Sequence, residues 1–141
     1  EGVGENKPLS GEKLSLALTV YRAPSIEGAM EQVQDVLNFQ GMGHSVGIHT
    51  KEPANAQMLA ERLDVVRVLV NQAHTFGNGG SFDNGLGFTL TMGCGTWAGN
   101  SISENLGYHH FINITHLVKT IPEDRPSEEE LFGAHWEKYG K

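Results

Sequence analysis

The sequence is short of cysteine, of basic charge and of long apolar runs, and each shortage removes a class of function. A single cysteine, Cys94, cannot close an internal disulfide, which agrees with a reducing compartment. Ten Lys and Arg stand against seventeen Asp and Glu, a formal net charge of -7. No basic footprint is left for nucleic acid or an anionic membrane surface. No stretch approaches the roughly 20 apolar residues that cross a bilayer. The start, Glu1-Gly-Val-Gly-Glu5, lacks the basic and apolar regions of a signal peptide, so a cytoplasmic setting is expected. Phosphate-binding fingerprints are missing too: there is no Walker A pattern, and Gly93, Gly95 and Gly99 have the wrong interval for Gly-x-Gly-x-x-Gly. Cys-x-x-Cys and His-Glu-x-x-His are absent. The adjacent His109 and His110 would face opposite sides of a strand. His44 and His49 would be separated in the same way, so no metal site is expected.

Glycine, by contrast, is abundant. Many of the eighteen glycines fall between residues 77 and 107, and the stretch from Gly85 to Leu106 carries Cys94 between two of them. Glycines on both sides of a residue let the backbone approach a ligand or another strand closely. Phe88, Leu90, Met92 and Trp97 argue against disorder.

At 141 residues one domain is expected, with no internal repeat. Residues 16–21 read as a buried strand. Ser25 is placed to cap a helix over residues 26–40, where Ile26, Ala29, Met30, Val33, Val36 and Leu37 repeat at helical spacing until Gly41. A strand at 44–49, a helix at 53–63 and a strand at 65–71 follow. This alternation is that of an α/β chain with a parallel sheet in a three-layer α/β/α arrangement. Ligands of such sheets gather beyond the carboxyl ends of the strands, where Asn71 stands. A short helix at 100–105, a strand at 109–118 and a helical tail within 122–141 complete the reading, the tail opened by the capping box Ser127-Glu-Glu-Glu130.

Cys94 has no His or Lys within several positions to activate it and reads as a packed thiol. Gly11-Glu-Lys-Leu-Ser15, Gly41-Met-Gly-His-Ser45, Val68-Leu-Val-Asn71 and above all Met92-Gly-Cys-Gly-Thr-Trp-Ala-Gly-Asn-Ser-Ile-Ser-Glu-Asn105 resemble, in this order, the carboxyl-terminal part of the aldehyde dehydrogenase superfamily. The branch they resemble is the coenzyme-A-acylating one. Many non-acylating members carry an aromatic residue and Gly-Pro where this chain has Lys13-Leu-Ser-Leu16.

The resemblance implies the later part of a catalytic domain, with the rest of a parent enzyme as its partner. It implies an intact enzyme that uses NAD or NADP and coenzyme A to oxidise a small aldehyde, as a homo-oligomer whose 109–118 strand reaches a neighbouring subunit. The family's nucleophilic cysteine lies upstream of Glu12, outside these residues, and the piece alone is expected to be inactive. By position, Glu12 matches the carboxylate that accepts the nicotinamide ribose hydroxyls, and His44 the histidine placed near the thioester. Without the resemblance, Glu12 would read as an exposed loop acid and His44 as structural. Two other readings remain: a fragment of a non-acylating dehydrogenase, and a non-catalytic α/β module that works by association.

Overall fold

A computed structural model describes residues 2–141. Two parallel strands, β1 (Val46–Ile48) and β2 (Val68–Val70), pair Val46 with Val68, Gly47 with Leu69 and Ile48 with Val70. They are joined by the helix α2 (Pro53–Arg62) and preceded by α1 (Ile26–Gln40). Side chains alternate across a strand. Val46, Ile48 and Val68 therefore face Met30 and Val33 of α1 and Leu59 of α2, forming the core with Leu63 and Val65. Leu69, buried on the other face, lies towards the short helix α3 (His74–Asn78) and the glycine-rich segment. Helices, sheet, and helix with loop make three layers, as the α/β/α expectation requires.

The helices form where their local signals stand. Ser25 accepts the Gly28 N–H at 3.2 Å, and α1 stops at Gly41, whose φ of 117° suits glycine. Pro53 opens α2 at a position where its missing N–H is not needed. At the other end of the chain, α4 (Glu128–Tyr139) starts with the expected box: Ser127 N–H donates to Glu130 Oε2 at 2.7 Å, and Glu130 N–H to Ser127 Oγ at 3.2 Å.

Three expectations are corrected. Residues 16–21 form no strand, and Leu16, Leu18 and Val20 are exposed; a strand needs a neighbour for its backbone groups, and among the described residues β1 and β2 pair only with each other. Residues 100–105 form no helix. They run antiparallel to residues 91–95 instead, with Gly93 N–H on the Glu104 carbonyl, Gly95 N–H on that of Ile102 and Leu106 N–H on that of Thr91, at 2.9 to 3.0 Å. The glycines decide this: a Cβ on Gly93 would lie 2.1 Å from the Ile102 carbonyl oxygen. Finally, the strand expected at 109–118 begins as a 3-10 turn, Tyr108–Phe111, and residues 112–121 run on unpaired with Ile112, Ile114, Leu117 and Val118 exposed.

Candidate functional site

His44 and Ser45 stand where the parallel ladder lapses. Gly43 bridges to Val65 and Val46 pairs with Val68, in one register. Between those pairs His44 is exposed, two residues before β1. Gly43 makes the approach possible, because a Cβ there would lie 2.3 Å from the Cys94 carbonyl oxygen. The Ser45 hydroxyl links two imidazoles, at 2.6 Å from His44 Nδ1 and 2.8 Å from His74 Nε2. One hydroxyl carries one proton and two lone pairs, so it can donate to one ring while accepting from the other.

His74, the first residue of α3, was not singled out in the sequence. Its ring lies over Gly47, where a Cβ would meet Nδ1 at 3.1 Å. An isolated glycine inside a strand pattern marks such close approaches, and Gly47 was the available signal. The ring keeps an exposed edge, yet its packing removes enough water to pull its pKa below the ordinary imidazole value, and His44 nearby adds to the effect.

Glu12 lies beside the end of α1, its backbone N–H on Gln40 Oε1 at 2.7 Å. The exposed carboxylate lines a groove of about 360 Å³ with Lys13, Thr19, Tyr21 and Gln40. His44 does not line this groove, although it follows α1 by four residues. Both residues therefore sit by the carboxyl end of α1 and the amino end of β1, not beyond the carboxyl ends of the strands. Asn71, which does stand at such an end, is engaged structurally: its Oδ1 accepts the Thr50 N–H and its Nδ2 donates to the Thr50 carbonyl, both at 2.8 Å.

The glycine-rich stretch is held by a buried polar knot. Arg67, 6% exposed, donates from Nε to Asn105 Oδ1 at 2.9 Å and from Nη1 to the Gly93 carbonyl at 3.0 Å. Asn105 Nδ2 then donates to the carbonyls of Asn78 at 3.1 Å and Gly87 at 2.8 Å. Burial pulls the Arg67 pKa down, with Cys94 acting the other way. The Cys94 thiol faces the Met92 carbonyl at 3.8 Å, and its backbone N–H is held by Asn100 Oδ1 at 2.8 Å, a packed setting.

His109 and His110 do not point apart. Their Nε2 atoms lie 3.4 and 2.9 Å from the same Glu104 Oε1. Hydrogen bonds from His109 and His110 hold the Glu104 carboxyl below the usual carboxylate range.

No protein-family model matches the chain. Individual proteins do. The chain is 49% identical over 140 residues to the sulfoacetaldehyde dehydrogenase (acylating) of Cupriavidus necator, covering 99% of this chain and 28% of that protein. It is 39% identical over 134 residues to the succinate-semialdehyde dehydrogenase (acetylating) of Clostridium kluyveri, covering 94% of this chain and 29% of that protein. Among solved structures, the probable aldehyde dehydrogenase of Listeria monocytogenes superposes with a TM-score of 0.78 at 32% identity, over 93% of this chain and 28% of the other. The acetylating aldehyde dehydrogenase of Geobacillus thermoglucosidasius gives 0.75 at 32%, over 88% and 28%. The chain thus spans little more than a quarter of the length of the relatives it matches.

Proposed function

From a chain that is homologous along nearly its whole length to one segment of the acylating aldehyde dehydrogenases, we propose that the whole protein oxidises a small aldehyde to an acyl-coenzyme A. The reaction runs through a cysteine thioester whose nucleophile lies outside these residues. The observation that carries this reading is the near-complete match of the chain to one segment of enzymes named as acylating or acetylating aldehyde dehydrogenases. The segment is the carboxyl-terminal portion of the catalytic domain. Residues 112–118 pair with a neighbouring subunit in a cytoplasmic homo-oligomer, which supplies the strand neighbour that these exposed apolar residues lack.

Glu12 suits a nicotinamide ribose: an exposed carboxylate bordering an open groove has the acceptors a vicinal diol needs. NAD or NADP bound there would supply the hydride acceptor, with coenzyme A as the acyl acceptor. Gln40 fixes the Glu12 backbone, so the carboxylate is presented from an anchored turn. His44 holds or moves a proton during acyl transfer. Its Nδ1 is engaged by Ser45, which leaves Nε2 as the atom to face the reacting groups. Ser45 and His74 are positioning residues: they set which His44 nitrogen carries the proton.

The test is an assay of the intact protein for NADH or NADPH formation from several aldehydes, with and without coenzyme A. Coenzyme-A-dependent formation is expected, and Glu12→Gln should raise the KM for the nicotinamide or lower turnover. Formation indifferent to coenzyme A would reject the acylating reading. An unchanged Glu12→Gln enzyme would remove Glu12 from the site.

A further inference from the structure

We propose that Glu104, His109 and His110 bind one divalent transition-metal ion of the zinc, cobalt or nickel kind, through two imidazole nitrogens and one carboxylate oxygen. One ligand atom from each of the three residues lies within 4.8 Å of the other two. Donors at roughly 2.1 Å from one ion stand about 3.0 Å apart at right angles and about 3.4 Å apart tetrahedrally. The Glu104 Oε1 to His110 Nε2 and His109 Nε2 separations, 2.9 and 3.4 Å, fall on those values. Both imidazoles converge on the same oxygen, Glu104 Oε1.

The backbone brings these groups together. Glu104 lies in the antiparallel ribbon, its carbonyl accepting the Gly93 N–H at 2.9 Å. The chain turns at Gly107 into the 3-10 segment Tyr108–Phe111, where successive side chains are about 120° apart, not 180° as in a strand. That smaller angle lets neighbouring histidines share a target, with ring centroids 4.0 Å apart. Gly107 leaves room for it: a Cβ there would lie 3.0 Å from Cε1 and Nδ1 of His109, which would have to shift by a few tenths of an ångström.

The support around the ligands fits as well. His110 Nδ1 lies 2.9 Å from the Gly107 N–H and 3.1 Å from the Gly107 carbonyl. Without metal, Nε2–H donates to Glu104 and Nδ1 accepts the backbone N–H. With metal on Nε2, the proton moves to Nδ1 and donates to the carbonyl, the usual second partner of a ligating histidine. The Gly107 N–H gives up its bond to Nδ1 in that tautomer, because a protonated ring nitrogen cannot accept. Two nitrogens and one carboxylate oxygen select transition ions over calcium or magnesium, and three protein ligands leave at least one position for water.

The test is titration of the full chain, first stripped with EDTA, with Co²⁺ followed by its visible absorption. One Co²⁺ per chain is expected, displaced by Zn²⁺ and indifferent to Mg²⁺ or Ca²⁺. His109→Ala, His110→Ala and Glu104→Gln should each weaken binding by roughly tenfold or more, since even outer partners of a metal matter on that scale. His135→Ala, on α4, should leave it unchanged. Amide NMR spectra in EDTA establish that each variant keeps the fold. The proposal is overturned by no stoichiometric Co²⁺, by binding that survives the double His109→Ala, His110→Ala change, or by binding lost with His44→Ala instead.

Discussion

Ser45 and His74, twenty-nine residues apart in the sequence, are joined by a 2.8 Å hydrogen bond between Oγ and Nε2. The contact exists because β1 and α3 meet at Gly47, the strand position with no side chain to hold the imidazole off. Through Ser45 it reaches His44, so the tautomers of the two exposed histidines are coupled through one hydroxyl.

The lowered His74 pKa makes stability depend on pH. The fold favours the neutral ring, so below the ordinary value of 6.5 the unfolded chain takes up the proton first. The contribution is full above 6.5 and is lost as pH falls through the lower folded value. Urea unfolding at a series of pH values should show this loss, and His74→Gln should flatten it. Gly47→Ala, whose methyl would press on Nδ1 from 3.1 Å, should move the His74 titration back up while changing stability by no more than about 1 kcal/mol, since strand propensity favours alanine over glycine. An unmoved His74 titration by NMR would show that the glycine does not set the ring's place.

Asn105→Asp tests the buried knot. The new carboxylate gains charge attraction to Arg67, but its second oxygen faces the carbonyls of Asn78 and Gly87 that Nδ2 now serves. Two lost hydrogen bonds and the repulsion between acceptors outweigh the ion pair, and a destabilisation of about 1–3 kcal/mol is expected from urea midpoints. A variant as stable as the parent would mean that the amide donors contribute nothing.

Gly93→Ala and Gly85→Ala should differ sharply. The first puts a methyl 2.1 Å from the Ile102 carbonyl oxygen, whereas the second meets nothing within 4 Å. The first should open the ribbon, cost about 3 kcal/mol and accelerate amide hydrogen exchange at Gly95 and Leu106. The second should stay within about 0.5 kcal/mol of the parent. Equal effects would remove the close-approach account of the glycine-rich stretch.

Local interactions settled what could be read from residue order. The helix at 26–40, with Ser25 and Gly41 at its ends, the helix from Pro53 and the capping box at Ser127 rest on contacts within a turn or two of the chain. The two parallel strands were legible because each is a short run with β-branched residues, set on either side of the helix from Pro53. Glu12 and His44 were named from resemblance, not from any property of their own.

Only the tertiary structure could decide the rest, because it depends on what lies across the chain. Leu16, Leu18 and Val20 have strand-like side chains, but a ladder is made by a neighbour. Arg67 is buried only because Asn105 and the Gly93 carbonyl come to meet it from 38 and 26 residues away. His109 and His110 share a target through a turn at Gly107 that residue alternation would not foresee. Periodicity records which side of an element is apolar, and the partner that side meets is fixed by packing between distant segments.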